Sequence, residues 1–225
     1  MIQFQNVTKS YPLGNNALDD VSFEIEDNEF IFLVGPSGAG KTTILKMLAR
    51  DIIPTSGTIF IDNEEISSAK FHKVERLRQK IGFVFQDFKI LPDRNVFENI
   101  AISLEISGTP KNLIKEEVHK TLELVNLVSK ARVFPVQLSA GELQRVAIAR
   151  AVIGERDIIL ADEPTGNLDP KTTWEIMKIF KKLEDKKTII IATHNTDIVN
   201  SLKKRVIAIK EGQLIADKRK GGYEL

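Results

Sequence analysis

The sequence contains no cysteine and few histidines. Without cysteine there can be no disulfide framework and no thiolate metal site. The histidines, His72, His119 and His194, lie far apart, and the first two sit in charged segments where we expect them to be exposed. We therefore expect no structural zinc site. The absence of cysteine also fits a reducing compartment.

The chain also lacks a strong net charge and a long apolar segment. Its 32 basic and 31 acidic side chains give a formal charge of +1, so no long-range field favours nucleic acid or an anionic bilayer. We expect no nucleic-acid partner. The opening residues, MIQFQNVTKSY, alternate instead of forming the apolar core of a signal peptide. No apolar run approaches the ~20 residues that span a bilayer, so we expect a chain that does not cross the membrane.

Nearly continuous apolar runs in the chain are typical of parallel strands that are covered on both faces. Two other segments, residues 2–7 and 58–62, alternate apolar and polar side chains and also predict strands. Together these segments predict an α/β fold with a parallel sheet flanked by helices. The apolar runs are residues 30–34 (FIFLV), 157–161 (DIILA), 188–192 (TIIIA) and 206–209 (VIAI).

Between residues 88 and 156 the apolar spacing becomes helical. Apolar residues recur at every third or fourth position in residues 96–106, 112–127 and 140–153, and prolines mark breaks in this region. We interpret residues 88–156 as a helical subdomain inserted into one α/β domain. The core of that domain comprises residues 1–87 and 157–225.

The segment GPSGAGKT at residues 35–42 matches the phosphate-binding pattern G-x-x-x-x-G-K-[ST]. It follows the predicted strand 30–34 and precedes a helix that begins near Lys41, as the pattern requires. Backbone N–H groups of such a loop face the phosphates, the lysine reaches the β and γ phosphates, and Thr42 ligates Mg²⁺. A glycine-rich turn without a ligand is the alternative. The predicted nucleotide-binding residues are Gly35, Pro36, Ser37, Gly38, Ala39, Gly40, Lys41, Thr42 and Thr43.

Two carboxylates, Asp162 and Glu163, stand where a predicted buried strand ends. This is the edge at which ligands bind in open α/β sheets. We expect Asp162 to orient Mg²⁺ through water, and Glu163 to polarise the water that attacks the γ-phosphate. The alternative is that the pair only begins a turn before Pro164. The order of the two motifs along the chain favours the catalytic interpretation.

The segment LSAGE at residues 138–142 resembles the signature of ABC-type ATPases, and LQRVAIARA at 143–151 extends that resemblance. Ser139 is a good N-cap and Glu142 completes a capping box, so the helix N-terminus offers N–H groups to an anion. Most S-x-x-E patterns mark only a helix start. Ala140 replaces the usual glycine, and Leu143 replaces a common glutamine.

The resemblance implies a specific fold and a shared site. It implies a P-loop ATPase core with a parallel sheet, an N-terminal antiparallel β subdomain and an inserted helical subdomain. In this family the signature helix binds the γ-phosphate held by a second cassette, which implies a homodimer on ATP binding, with ATP and Mg²⁺ as ligands. The implied contacts in this segment are Ser139, Gly141 and Glu142.

Other family motifs follow in the expected order over the whole chain. By resemblance, Tyr11 stacks on adenine and Asp169 lies at the dimer interface. Gln86, after a predicted strand at 81–85, senses Mg²⁺ and the membrane partner, and His194 contacts the γ-phosphate. The implied catalytic set is Glu163, His194, Lys41 and Gln86, and the implied metal set is Thr42, Gln86 and Asp162.

The stretch ADEPTGNLD at residues 161–169 resembles the lipoprotein-release and MacB-like branch of the family, not the nutrient importers. Within it, FQDFKILP at 85–92 and KGGYE at 220–224 resemble the cell-division members. The resemblance implies an ATPase subunit at the cytoplasmic face of the membrane, which acts through a spanning permease to control cell-wall hydrolysis. An exporter ATPase of the same branch is the alternative. A soluble repair or translation ATPase lacks support, because the chain has no heptad run and one cassette, and a low-turnover scaffold stays open.

The remaining conspicuous apolar residues lie outside these motifs. Phe88, Ile90 and Leu91 crowd the loop after Gln86, and loops rarely carry that density of apolar groups unless they pack against something. They either receive a short element of a membrane-spanning partner or pack into the helical subdomain. Trp174 lies in a predicted helix, and we expect it in the core.

Overall fold

The computed structural model describes residues 1–12 and 16–219 and contains two β-sheets. The KGGYE segment at residues 220–224 lies outside the described residues. The strands are β1 (Ile2–Ser10), β2 (Asn16–Ile25), β3 (Phe30–Val34), β4 (Ser56–Ile61), β5 (Glu64–Glu65), β6 (Ile81–Val84), β7 (Ile158–Asp162), β8 (Thr188–Thr193), β9 (Arg205–Lys210) and β10 (Gln213–Lys218). The helices are α1 (Lys41–Leu48), α2 (Val74–Lys80), α3 (Val96–Ile106), α4 (Lys111–Leu124), α5 (Ala140–Val152), α6 (Pro170–Lys181) and α7 (Thr196–Leu202).

The larger sheet has the strand order β10-β9-β3-β8-β7-β6 and is parallel except for β10. Every residue of β3, β7 and β8 is buried, because both faces of these strands are covered. Alternate β3 residues show this: Phe30, Phe32 and Val34 join the core with α3–α7, whereas Ile31 and Leu33 join the core with α1 and the smaller sheet. The predicted parallel core is confirmed.

The smaller sheet is antiparallel, with the order β2-β1-β4-β5. It confirms the N-terminal antiparallel β subdomain. β2 carries an apolar stripe of Leu18, Val21, Phe23 and Ile25 that is buried against α1 and the underside of the larger sheet. The alternating strands predicted at 2–7 and 58–62 are its β1 and β4.

Helices α3, α4 and α5 lie between β6 and β7 in the chain. α3 has the predicted bounds, and Asn95 and Glu98 form a reciprocal capping box at its start. α4 ends three residues earlier than predicted, and Asn126 beyond it takes a left-handed backbone with φ of 56°. Within the described residues, the structure contains no helix long and apolar enough to cross a membrane.

The expectation that Trp174 lies in the core is wrong. Trp174 lies on α6 and is 37% exposed. The inward face of that helix is formed by Thr173, Ile176, Met177 and Phe180. The expected exposure of His72 and His119 is confirmed.

Close packing of α5 against β6 predicts a large cost for a methyl group at Gly82. An added Cβ would lie 1.8 Å from the carbonyl oxygen of Ala151, and backbone must shift to admit it. We expect Gly82→Ala to lower the free energy of unfolding by about 3 kcal/mol, measured by urea denaturation. The control Gly108→Ala has open space around the new Cβ and loses only about 1 kcal/mol from its left-handed backbone. Equal losses in the two variants would contradict this packing.

Candidate nucleotide site

Four neighbouring strands end at one edge of the larger sheet, and a predicted site residue follows each of them. Gly35 follows β3, His194 follows β8, Asp162 and Glu163 stand at the end of β7, and Gln86 lies two residues beyond β6. The strands are parallel and adjacent in the order β3-β8-β7-β6. Their carboxyl ends therefore meet at the edge where open α/β sheets bind ligands.

The loop between β3 and α1 has a backbone that requires glycine. At Gly35, φ is 151° and a Cβ would lie 2.0 Å from the carbonyl oxygen of Ile209 in β9. At Gly40, φ is 111° and a Cβ would lie 2.5 Å from the carbonyl oxygen of Ala17 in β2. At Gly38 an added Cβ would meet no atom within 4 Å, so this part of the loop is open. Of the other loop residues, Pro36, Ser37 and Thr42 are exposed, Thr43 is half-buried and Ala39 is buried.

The Lys41 side chain is buried beneath this loop. Its Nζ donates to the carbonyl oxygens of Gly35 at 2.7 Å and Pro36 at 3.1 Å, and lies 3.9 Å from Oε1 of Glu163. Burial lowers the pKa of Lys41 below its ordinary value, whereas the negative charges of Glu163 and Asp162 oppose that shift. A cation thus stands between the loop and the carboxylates, in the position that a phosphate group needs.

Asp162 is buried at the end of β7 and accepts a hydrogen bond from the hydroxyl of Thr42. Burial raises the pKa of Asp162, and the neighbouring charge of Glu163 raises it further, while the Thr42 hydrogen bond lowers it. A threonine hydroxyl beside a carboxylate offers the hard oxygen ligands that Mg²⁺ prefers. Two of the three residues predicted to hold Mg²⁺, Thr42 and Asp162, therefore meet, and a cation near them would offset the cost of the buried charge.

Glu163 adopts a left-handed backbone with φ of 47°, which is uncommon for a residue other than glycine. Its N–H donates to Ala192 and its carbonyl oxygen accepts from Gly166, so the strand end and the following turn fix this conformation. Its Oε1 lies 2.9 Å from Nδ1 of His194. Because an ionised carboxylate only accepts, Nδ1 must carry the proton of that hydrogen bond. His194 itself is 64% exposed at the side chain, so this dyad opens to solvent.

The signature segment forms the predicted helix start on α5. The hydroxyl oxygen of Ser139 accepts from the N–H of Glu142 at 3.3 Å, and the Glu142 carboxylate accepts from the N–H of Ser139 at 3.0 Å. The Ser139 N–H is the main cause of a lowered Glu142 pKa. Ser139 and Ala140 are exposed, and an added Cβ at Gly141 would lie 2.5 Å from Cγ2 of Thr172. The signature helix therefore packs against the start of α6.

Two predicted residues lie apart from the carboxyl edge. Asp169 is the N-cap of α6 and accepts from the N–H and hydroxyl of Thr172, which lowers its pKa. Tyr11 follows β1, is 43% exposed, and lies under the ammonium of Lys9, with Nζ 5.4 Å from the ring centroid. Pairing of β1 with β2 brings Tyr11 to the hairpin end near Ala17, which contacts the phosphate-binding loop.

Sequence reasoning missed Trp174 as a neighbour of the site. It lines a cleft together with Glu163, His194 and Asn195, in a space of about 200 Å³. The helical spacing of α6 could have predicted this position, since Trp174 lies beside the buried face of the helix and not on it.

A comparison with known families identifies the class of protein. Residues 18–166, which hold the phosphate-binding loop, the signature segment and the acidic pair, match the family model described as ABC transporter. The chain belongs to the ABC transporter family.

Comparison with individual members shows which proteins of the family the chain resembles. The chain is 49% identical to the cell division ATP-binding protein FtsE of Bacillus subtilis (strain 168), over 99% of this chain and 98% of the relative. It is 42% identical to the methionine import ATP-binding protein MetN 2 of Bacillus cereus (strain ATCC 10987 / NRS 248), over 96% of this chain but 66% of the relative. Among solved structures, it resembles a dimeric post-hydrolysis state of the ATP-binding cassette MJ0796 bound to ADP and Pi, with a TM-score of 0.89, 35% identity, and coverage of 99% of this chain and 100% of the other.

Proposed function

We propose that the chain binds and hydrolyses ATP as the motor subunit of a membrane complex that acts in cell division. The observation that carries the proposal is the meeting of Lys41, Glu163 and His194 at one sheet edge, in a chain that aligns with FtsE over nearly the full length of both proteins. The test is ATP-dependent phosphate release by the purified chain, combined with its recovery from membranes together with a spanning subunit.

The geometry supports the following roles. The ATP phosphates lie along the open side of the loop at Gly38, and Lys41 exchanges its two loop carbonyls for β- and γ-phosphate oxygens. Glu163 accepts a proton from the water whose oxygen bonds to the γ-phosphorus, and the bond to ADP breaks. His194 holds the Glu163 carboxylate through Nδ1 and presents its exposed ring toward the γ-phosphate.

The residues present suit a magnesium ion bound with the nucleotide. Thr42, Asp162 and Gln86 supply a hydroxyl, a carboxylate and an amide oxygen at the same sheet edge. In residues 1–12 and 16–219 the structure has no group of three or more His, Cys, Asp or Glu that could hold a metal. This pattern suits Mg²⁺, which typically takes one or two carboxylates and completes its shell with phosphates and water. When bound, the ion would neutralise charge that develops on the phosphates.

Two chains bind two ATP molecules between them in this proposal. The exposed capping box of Ser139 and Glu142 leaves N–H groups of α5 available to an anion. Among the described residues, the Ser139 and Glu142 side chains bond to each other's N–H groups and to Lys130, and not to the phosphate-binding loop. As the resemblance to ABC-type ATPases implies, a second chain supplies the phosphate, with Gly141 close to the contact, Asp169 at the dimer interface and Tyr11 stacked on adenine.

A membrane partner of the FtsX type follows from the proposed cell-division role. The chain would then lie at the cytoplasmic face of the membrane, held there by that partner. The match to MetN 2 offers an importer as a second candidate, but it leaves a third of MetN 2 without a counterpart, whereas FtsE is matched over 98% of its length. An exporter of the lipoprotein-release or MacB-like type would use the same site and differ in the partner recovered.

The loop after Gln86 and a groove between α2 and α3 form the proposed docking surface for that partner. Phe88, Ile90 and Leu91 are all half-buried, and Ile90 packs against the helical core. The groove runs between α2 and the end of α3 and measures about 440 Å³. At its rim Ile106 is 71% exposed, and a short apolar element of a spanning subunit would cover it.

We expect Ile106→Arg, and separately Phe88→Ser combined with Leu91→Ser, to abolish co-purification with the spanning subunit. Both changes remove apolar side chains from the docking surface and replace no residue of the nucleotide site. The measurement is recovery of the partner from solubilised membranes, with ATP binding and circular dichroism as checks of folding. Leu113→Arg is the matched control, because Leu113 is an exposed leucine, 45% accessible, on α4. Retained co-purification by a folded Ile106→Arg chain would contradict the docking site.

A further inference from the structure

A side chain of the signature helix holds the backbone of the loop that follows Gln86. Nη2 of Arg150 donates to the carbonyl oxygen of Phe88 at 2.8 Å, and Nη1 donates to that of Lys89 at 2.6 Å. Phe88 and Lys89 both have left-handed backbones, with φ of 59° and 49°. Two successive non-glycine residues rarely persist in this region unless their surroundings enforce it. The N–H groups of Phe88 and Lys89 donate to the carbonyl oxygens of Phe85 and Asp87, and the guanidinium adds two charge-assisted hydrogen bonds to that restraint.

A second buried side chain holds the remainder of the same loop. Asn99 of α3 is 0% exposed. Its Oδ1 accepts from the N–H of Leu91 at 2.9 Å. Its Nδ2 lies within donating distance of the carbonyl oxygens of Leu91, Arg94 and Asn95, at 3.0, 2.8 and 3.0 Å. Hydrogen bonds from Arg150 and Asn99 therefore hold residues 88–95 to the rest of the helical subdomain at both ends.

The segment that precedes Gln86 packs against the α/β core. β6 pairs with β7, and the Phe83 and Phe85 rings stack with centroids 4.3 Å apart. Phe83 also packs against the core that includes the smaller sheet. Between Phe85 and Phe88 only Gln86 and Asp87 remain, and both are exposed.

We infer that Arg150 is a positioning residue: it ties the segment after Gln86 to the helical subdomain, so that Gln86 and Asp87 form the joint between the two subdomains. This inference rests on the proposed function, in which Gln86 faces the nucleotide. A displacement of the helical subdomain then also displaces Gln86, because residues 88–95, which are bonded to that subdomain, begin two residues later. Without Arg150, residues 88 and 89 relax toward an ordinary backbone and Gln86 loses its fixed position.

The same helix also connects the joint with the signature segment. Arg150 lies 11 residues after Ser139, which corresponds to about 16 Å along an α-helix. In the proposed dimer, the start of α5 contacts the partner's ATP while Arg150 holds the loop at this chain's own ATP. A single rigid helix thereby joins the two composite sites.

The test compares two half-buried arginines, Arg150 and Arg156, that both donate to backbone carbonyls. Arg150→Met should lower kcat for ATP hydrolysis by at least about tenfold with ATP affinity changed less than about twofold, since misplacement of a site group by an ångström already costs that much. Amide hydrogen exchange of residues 86–91 should become faster. Arg156→Met is the control, because Arg156 donates to the carbonyl oxygens of Arg78 and Gln79, away from this loop. It should leave kcat and the exchange of residues 86–91 unchanged.

Arg150→Lys keeps the cation but has one donor nitrogen in place of the two that Arg150 uses, and an intermediate kcat and exchange rate are expected. It also replaces Arg150→Met if that chain does not fold. Unchanged exchange of residues 86–91 in a folded Arg150 variant, or a kcat equal to that of Arg156→Met, would overturn the inference. If the wild-type chain does not hydrolyse ATP, the proposed function fails, while the exchange measurement still decides whether Arg150 holds the loop.

Discussion

Glu163→Gln should bind ATP as well as the wild-type chain does and hydrolyse it at least about a hundredfold more slowly, because a general base contributes 10²–10⁴ to such a reaction. The amide has the shape of the carboxylate but cannot accept the proton of the attacking water. It also preserves the backbone conformation at residue 163, whose left-handed φ is set by bonds of Glu163 main-chain atoms to Ala192 and Gly166. Steady-state phosphate release and equilibrium ATP binding measure the two effects separately.

Glu29→Gln is the matched control for this substitution. Glu29 precedes the same sheet at the opposite end of β3, and its carboxylate accepts two hydrogen bonds from Nη1 of Arg205, at 3.0 and 2.8 Å. Loss of that ion pair should lower stability and leave turnover per folded chain unchanged.

His194→Ala should slow hydrolysis and spare binding, since it releases the Glu163 carboxylate. Near-normal hydrolysis by Glu163→Gln would remove its assignment as the base.

The parts of this fold that were predicted correctly are those where one physical rule decides the outcome. The run FIFLV coincides with β3, because a strand buried on both faces must be continuously apolar. α3 begins and ends as predicted, since its capping box and apolar spacing agree. β2 was not predicted, because acidic residues interrupt its apolar stripe and it becomes regular only when paired with β1.

The parts of the site that were not predicted depend on contacts between distant residues. The motifs and the parallel strand order indicate which groups meet at the sheet edge. No local pattern shows that Glu163 adopts a left-handed backbone, since bonds from the next strand and a later turn impose it. Arg150 lies inside the extended signature resemblance, yet its partners Phe88 and Lys89 are about 60 residues earlier. Such pairings arise from tertiary packing, which single-sequence periodicity does not encode.

A mixture of Lys41→Ala and Ser139→Arg chains should recover ATP hydrolysis that neither chain shows alone. Lys41→Ala removes the buried cation of the phosphate-binding loop, and Ser139→Arg places a bulky side chain at the exposed start of α5. If each site combines the loop of one chain with the signature segment of the other, a mixed dimer has one doubly damaged site and one intact site. With random pairing and independent sites, an equal mixture should reach about a quarter of wild-type activity.

The control for this mixture places both substitutions in the same chain and mixes that chain with the wild type. Each mixed dimer then has two singly damaged sites, so only the wild-type homodimers, a quarter of the dimers that form, are active and the mixture should also reach about a quarter of wild-type activity. If each chain used its own signature segment, this control would instead reach about half of wild-type activity and the first mixture would show none. Light scattering should detect ATP-driven dimers in the wild type and in the complementing mixture, and Glu163→Gln can be added to either chain to slow their decay. Because Ser139 and Ala140 are exposed, Ser139→Arg should cost only the helix cap, about 1 kcal/mol, and leave the chain folded. No activity in the first mixture together with about half of wild-type activity in the control, or no ATP-driven dimer of the wild type, would show that the loop and the signature segment do not act across two chains.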